Sequence, residues 1–233
     1  MSIRNNYKHT LTASYFGYIT QAIVNNFAPL LFVTFQRSFG VSLEKIAGLV
    51  TVNFCFQLII DLVSAKFIDR IGYRVSIVAA HFFAGAGLIM LGTLPFALPD
   101  PYIGLLISIG FYAVGGGLIE VLISPIVEAC PTDKKSAAMS LLHSFYCWGH
   151  VAVILLTTLF FVTAGIENWR VLAYLWAIVP FANAVYFCLV PINSLAAEGG
   201  AAPMKELFKS KLFWILAVLM VCSGASEQAM SQW

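Results

Sequence analysis

Seven long apolar runs constrain the fold of this chain more than any other feature of its sequence. They lie near residues 11-36, 45-66, 75-96, 102-129, 137-163, 170-190 and 212-233. A helix needs about 20 apolar residues to cross the hydrocarbon core of a bilayer, whereas a strand of a membrane barrel needs about half that number. Each of the first six runs therefore predicts a membrane-spanning helix. The seventh run reaches the end of the chain, and we expect it to be a truncated span.

The composition indicates a membrane protein rather than a soluble one. Hydrophobic residues make up 60% of the chain and charged residues 10%, whereas soluble domains carry about 25% charged residues. Because lipid offers the backbone no hydrogen bonds, long apolar segments must form helices. Basic residues are too scattered to bind a nucleic-acid backbone. The five cysteines lie in or beside different runs, which is typical of buried small residues.

Lys and Arg residues in the short connections are divided unequally between the two sides of the membrane. One side carries ten of them and the other carries Arg37, Lys45 and Arg170. Since short cytoplasmic loops are enriched in Lys and Arg, we predict a cytoplasmic N-terminus. A polar stretch with Pro and Gly separates the sixth and seventh runs. The predicted domains are a six-helix bundle over 1-190, a cytoplasmic linker over 191-211 and the start of a second transmembrane domain over 212-233.

A weak similarity between two parts of the sequence predicts two inverted repeats of three helices. Asn25 precedes a proline by four residues in the first run, and Glu120 precedes one by five in the fourth. The sequence Tyr-Arg-Val at 73-75 resembles Trp-Arg-Val at 169-171, at nearly the same distance from each of these polar residues. Inverted three-helix units of this kind build many secondary transporters. The predicted fold class is thus an all-α membrane protein with a six-helix bundle and a truncated seventh helix.

Polar residues recur on one face of four of the predicted spans. Their spacing of three or four residues places each set on one helical stripe. The sets are Ser14, Tyr18, Gln21 and Asn25; Asn53, Gln57 and Asp61; Tyr112, Gly116, Glu120 and Ser124; and His143, Tyr146 and His150. Because polar groups are costly in hydrocarbon, such faces normally line a bundle interior or an aqueous cavity. We predict a solute cavity lined by Gln21, Asn25, Asn53, Gln57, Glu120, His143 and Tyr146.

Glu120 is the residue most suited to transport chemistry, because it lies near the middle of its span. A carboxyl group at this depth can bind and release a proton, although it can also simply join two helices. Asp61 is explained equally well by a structural partner and by a transport role. The amides of Gln21 and Asn25 suit either a solute or interhelical hydrogen bonds, and His143 suits helix packing. The four histidines are dispersed without an H-E-x-x-H motif, so no metal site or cofactor is predicted.

The connection between the second and third runs resembles the cytoplasmic loop signature of the major facilitator superfamily. Residues 65-74 read A-K-F-I-D-R-I-G-Y-R, against G-x-x-x-D-R-x-G-R-R in the family. The sequences agree at Asp69, Arg70, Gly72 and Arg74, and differ at Ala65 and Tyr73. In that family the loop forms charged contacts that latch the outward-facing state. The resemblance therefore implies a gating role for these four residues, the alternative being a solvated turn that only sets topology.

A second resemblance concerns the fourth and fifth runs. The sequence G-G-G-L-I-E at 115-120, the Ser-Pro pair at 124-125 and the segment 143-149 are similar to the fucose-permease-like sugar:proton symporters. In those proteins a glutamate of the fourth helix lies in the substrate cavity, and Glu120 occupies that position. They also use an acid of the first helix, whereas this chain has Asn25 and Asn26 there. The resemblance thus leaves proton coupling to Glu120 alone.

These resemblances imply a secondary active transporter that works by alternating access, and no enzyme activity. The family has twelve spans in two halves, so we expect a missing C-terminal half, with Glu227 beginning its contribution to the cavity. The expected cargo is a small polar solute, above all a sugar, with a proton as candidate coupling ion. Two alternatives stay open: a drug or metabolite exporter of the same fold, and a non-transporting, receptor-like remnant. The expected location is the plasma or inner cell membrane, with several spans in the bilayer.

Overall fold

A computed structural model describes residues 3–193 and 208–232. Helices account for nearly all of this part of the chain, and no strand occurs in it. The helices are α1 (Tyr7–Asn26), α2 (Phe32–Phe39), α3 (Leu43–Ile71), α4 (Tyr73–Ala97), α5 (Pro101–Glu128), α6 (Lys135–Ala164), α7 (Trp169–Leu189) and α8 (Lys211–Gln232). Six segments are long and apolar enough to span a membrane, the first comprising α1 and α2 together. The all-α membrane fold expected from the sequence is therefore confirmed.

Two compact units divide the chain, Met1–Leu195 and Ala196–Trp233. The first unit contains all six spans. In the second, the described residues form α8, whose apolar part, Lys211–Ser226, is shorter than the other spans. Most of the predicted linker lies outside the described residues, so its role as a linker stays a prediction.

The first span is interrupted, although its apolar run predicts one continuous helix. α1 ends at Asn26, and a short 3-10 helix, Pro29–Leu31, joins it to α2. Proline has no N–H, so the carbonyl of Asn25 cannot accept the usual bond from residue 29. The break therefore follows directly from Pro29, and it places irregular backbone beside the polar stripe of α1.

The packing of the six spans follows a twofold pattern. The most extensive helix contacts are α1 with α5, α6 and α7, α4 with α5 and α7, and α3 with α5. Exchanging α1, α3 and α4 for α5, α6 and α7, respectively, returns the same six pairs. Two inverted repeats of three spans, which the internal similarity of the sequence predicts, give this symmetry of contacts. α3 and α6 are the least buried spans of the bundle, whereas the first span and α5 are the most buried.

Two arginines occupy equivalent places in the two repeats. Arg74, in the first turn of α4, donates from Nη1 to the carbonyls of Phe187 (2.8 Å) and Cys188 (3.1 Å) near the end of α7. Arg170, in the first turn of α7, donates from Nε to the carbonyl of Gly92 (2.8 Å) near the end of α4. A cation beside the last carbonyls of a helix is favourable because the dipole is negative there. α4 and α7 thus cap each other at opposite ends.

Candidate functional site

A chain of side-chain amides joins three helices at the interior face of the bundle. Gln57 of α3 donates from Nε2 to Oδ1 of Asn25 (3.0 Å) and to Oδ1 of Asn53 (3.2 Å). The Nδ2 atom of Asn25 on α1 in turn lies 3.5 Å from the hydroxyl oxygen of Tyr146 on α6. All three amide residues are buried. Four residues of the predicted cavity therefore form one network, and it lies next to the break in the first span.

Glu120 is connected to this face through Gln21. Gln21 Nε2 lies 3.4 Å from Oε2 of Glu120, and Gln21 itself is only 3% exposed. Glu120, in contrast, is exposed in the described structure. The position of Glu120 in the middle of its span suggests a buried carboxyl group. In the structure the residue is instead exposed. It lies at the open side of the polar face, where it is accessible to a solute or to water.

Three consecutive glycines of α5 bring these groups together. A Cβ at Gly115 would lie 2.5 Å from the backbone N of Ala84 on α4, and a Cβ at Gly117 would lie 3.1 Å from the Cα of Gln57 on α3. A Cβ at Gly116 would lie 3.2 Å from Oε1 of Gln21 and 3.4 Å from Nε2 of Gln57. At Gly115 only glycine permits so close an approach, and a Cβ at Gly116 or Gly117 would crowd its neighbours. The triplet therefore serves helix packing, and Gly116 also adjoins the polar face.

An aromatic wall borders the same face. The ring of Tyr18 is 5.5 Å from that of His143 and 6.2 Å from that of Tyr146, measured between centroids. Tyr18 is buried, and its hydroxyl lies 3.1 Å from the hydroxyl of Ser124 on α5. His143 is exposed. The wall joins α1, α5 and α6 beside Glu120, and its rings offer flat apolar surfaces next to hydrogen-bonding groups.

Tyr18 and Ser124 are absent from the cavity predicted from the sequence, although both lie on the polar stripes. The signal that could have found Tyr18 is its position three residues before Gln21 on the same helical face. A second polar group missed by the sequence lies deeper. His81 Nε2 accepts from Nδ2 of Asn183 (2.9 Å), while its Nδ1 donates to the carbonyl of Ile77 (2.8 Å). Both imidazole nitrogens are thus engaged.

Asp61 continues the stripe of Asn53 and Gln57, one turn further along α3. Its Oδ1 is buried and has no hydrogen-bond partner among the described residues. The other buried side-chain atoms of the described structure without a partner are also oxygens, those of Ser14, Gln21 and Asn183. Three of these four oxygens, those of Asp61, Gln21 and Asn183, belong to carboxyl or amide groups and can accept a hydrogen bond, whereas the Ser14 hydroxyl can accept or donate one.

The residues of the family signature lie at helix ends rather than in an open loop. α3 extends to Ile71 and α4 begins at Tyr73, so Gly72 alone connects them, with φ +89°. Arg70, in the last turn of α3, is exposed, and Arg74 caps α7. The side chains of Asp69 and Glu227 lie outside the described residues. In the structure, Arg74 therefore makes its contacts within the bundle. A gating role for the four residues remains a prediction.

The described residues contain no group of three His, Cys, Asp or Glu side chains that could hold a metal. The face described above instead combines amides, phenols, an imidazole and a carboxyl group, which together can bind a polar molecule by hydrogen bonds. A helical membrane bundle with two inverted repeats and such a face defines one domain of a secondary transporter.

The sequence profile described as Major Facilitator Superfamily matches residues 14–233. The chain belongs to this superfamily, and it is a secondary transporter of that class. No curated protein matches the chain significantly.

Proposed function

We propose that this protein transports a small polar solute, most specifically a sugar, by alternating access, with a proton as the coupling ion. The observation that carries the proposal is the continuous network of Asn53, Gln57, Asn25 and Tyr146 beside Glu120. Its amides and hydroxyls can each donate and accept hydrogen bonds, as the hydroxyls of a sugar do. The resemblance of 115-120 to the fucose-permease-like symporters points to the same cargo.

The aromatic wall supports a sugar more than a charged solute. Tyr18, Tyr146 and His143 present ring faces close to the amide network. The C–H groups of a pyranose can pack on such faces while its hydroxyls reach the polar side chains. Among the described residues of the predicted cavity, Glu120 has the only carboxyl group, and the others contribute amides, a phenol and an imidazole.

The proposal assigns the coupling proton to Glu120. Glu120 is exposed and its carboxyl group also lies 3.4 Å from the buried amide of Gln21, so it stands between the open side of the polar face and a buried polar group. An acid in this position can take up a proton from water and change its hydrogen bonds with the cavity wall. The proposed location is the plasma or inner cell membrane. The charge distribution supports an N-terminus in the cytoplasm.

Transport by proteoliposomes that contain the full-length protein tests both parts of the proposal. Labelled hexoses, including 6-deoxyhexoses, are offered with and without an inwardly directed proton gradient. We expect the wild type to accumulate at least one of these sugars above the outside concentration. Glu120→Gln should lower the steady-state ratio of inside to outside sugar to about 1, because the gradient can no longer drive uptake.

Glu128→Gln is the matched control, since Glu128 lies two turns further along α5 and only pairs with Lys135 at the surface (3.4 Å). It should retain the wild-type accumulation ratio. Undiminished gradient-driven accumulation by Glu120→Gln would exclude the assignment of the proton to Glu120. A wild type that neither exchanges nor accumulates any of the sugars would exclude a sugar as the cargo.

A further inference from the structure

The side chain of Tyr18 spans the gap between α5 and α6. Its hydroxyl lies 3.1 Å from the hydroxyl of Ser124 on α5. Its ring centroid lies 5.5 Å from that of His143 and 6.2 Å from that of Tyr146, both on α6. α5 and α6 each pack extensively on α1 but only slightly on each other. The two helices therefore flank a groove along the polar face of α1, and the side chain of Tyr18 crosses this groove.

This crossing lies at one end of the polar face. Tyr18 precedes Gln21 by three residues on α1, and Ser124 follows Glu120 by four on α5. α1 and α5 run in opposite directions, because two spans, α3 and α4, separate them along the chain. Both steps therefore lead towards the side of the N-terminus. Gln21 and Glu120 lie 3.4 Å apart, and at about 1.5 Å per residue the Tyr18–Ser124 pair lies about 5 Å beyond them on that side.

The helices offer a solute little beyond this level. Ser14, the next residue of the polar stripe of α1 towards the N-terminus, is fully buried. On α5, Ile126 and Val127, which follow Ser124, are also buried. The side chain of Tyr18, held in contact with Ser124 and with the ring on α6, thus forms a ledge at the end of the groove.

We propose that this ledge limits the length of the solute, so that the site takes a monosaccharide and excludes a disaccharide. A solute bound to Gln21 and Glu120 has about 5 Å of groove on the side of the N-terminus, which is too little for a second sugar unit. Tyr18 is the specificity-determining residue, and Ser124 is a positioning residue that holds its ring across the groove. This inference rests on the proposed function, because it names the size class of that cargo.

Transport by proteoliposomes that contain the full-length protein tests the length limit. A transported hexose is compared with disaccharides that contain it, and the wild type should favour the hexose. Tyr18→Ala removes the ledge and should lower the ratio of kcat/KM for the hexose to that for a disaccharide by about tenfold or more, as for other changes of pocket shape. Tyr15→Ala is the matched control, because it removes an equal ring that stacks on Phe145, 4.6 Å away between centroids. It should keep the wild-type ratio.

Tyr18→Phe and Ser124→Ala test the positioning role while the ring is retained. Each removes one partner of the same hydrogen bond, so both should lower the specificity ratio by a similar factor, smaller than that of Tyr18→Ala. The double variant should show no further decrease, because the two residues act as one pair. A purely structural role would change the rates for hexose and disaccharide equally. Effects of the two variants that multiply would overturn the positioning role of Ser124.

The reactivity of a cysteine at position 120 provides a measurement that needs no solute. In a variant without the native cysteines, Glu120→Cys is treated with N-ethylmaleimide and with a maleimide that carries a bulky, rigid substituent. Tyr18→Ala should raise the rate of the bulky reagent relative to the small one, because the groove beside residue 120 becomes longer. Tyr15→Ala should leave this relative rate unchanged.

The two measurements separate failure of the length limit from failure of the proposed function. A wild type that transports disaccharides as well as the hexose would overturn the length limit, as would an unchanged specificity ratio in Tyr18→Ala. If Tyr18→Ala does not fold, unchanged ratios in both Tyr18→Phe and Ser124→Ala would overturn it. A wild type that transports neither sugar would overturn the proposed cargo. The relative maleimide rate then decides on the ledge, because a rise supports it and an unchanged value overturns it.

Discussion

At the residue scale, the glycines of α5 show how one helix supports both packing and a site. Gly115 faces the backbone of α4, Gly117 faces the backbone of α3, and Gly116 faces the amides of Gln21 and Gln57. In lipid, helix association depends on close packing, which small residues permit. The same triplet thus sets the position of Glu120 relative to the polar side chains of α1 and α3.

Gly115→Ala should strongly destabilise the bundle. The added Cβ would lie 2.5 Å from the N of Ala84 and 2.6 Å from the O of Ala80, and these backbone atoms cannot move unless α4 and α5 separate. We expect a cost of about 1–3 kcal/mol, as for other overpacked cores. The measurement is the thermal unfolding midpoint of the purified protein in detergent.

Gly110→Ala on the same helix is the matched control. Its Cβ would meet only the ring of Phe56, at the ordinary contact distance of 3.6 Å. Its unfolding midpoint should therefore equal or exceed that of the wild type, because Ala favours a helix over Gly. Equal midpoints for the two variants would contradict the packing role of Gly115.

At the scale of helices, the two repeats are joined by equivalent contacts at opposite ends. Arg74 caps α7 on one side of the membrane, and Arg170 caps α4 on the other. Arg170 also lies over the ring of Phe96, 4.1 Å from its centroid, which adds a cation–π contact. α4 and α7 are thus fastened to each other at both ends, behind the polar face formed by α1, α3, α5 and α6.

Arg74→Gln and Arg170→Gln should each lower the unfolding midpoint. Each variant loses a charged hydrogen bond, which should reduce the free energy of unfolding by about 1–2 kcal/mol. Because the two sites lie at opposite ends of the helices, the effects should add in the double variant. Arg37→Gln, which alters an exposed residue, should have little effect. A double variant no less stable than either single one would contradict two independent caps.

At the scale of the whole molecule, the helix bounds and the charge distribution together predict the topology. The short connections that contain Asp133 and Glu167 lie on opposite sides, since one span, α6, separates them. Both residues are exposed. The excess of Lys and Arg predicts that the side of Asp133 is cytoplasmic.

Cysteines introduced at these positions test this orientation in a variant whose native cysteines are replaced by alanine. In right-side-out vesicles, a membrane-impermeant maleimide should label Glu167→Cys and not Asp133→Cys. Both should react after the membrane is dissolved in detergent. Labelling of Asp133→Cys alone in intact vesicles would show that the N-terminus is outside the cell.

Much of the architecture follows from the sequence because the bilayer imposes it. Length and hydrophobicity predict the spans, and helical spacing predicts the polar stripes that contain Gln21, Gln57 and Glu120. Hydrophobicity does not predict the break at Pro29, because it does not reveal the loss of one backbone hydrogen bond. It does not predict the continuation of α3 to Ile71 either, since a charged signature can be helical without being apolar.

The sequence by itself determined the six spans and their polar faces, since these depend on local composition and periodicity, and its loop signature indicated the family. Only the tertiary structure decided which polar groups meet, because contacts between α1, α3, α5 and α6 depend on how distant segments approach. It joined Gln57 to Asn25, set Tyr18 beside His143, and left Glu120 exposed. It also showed Asp61 with an oxygen that has no donor in the described structure, a property that arises only when neighbouring helices exclude water from that atom.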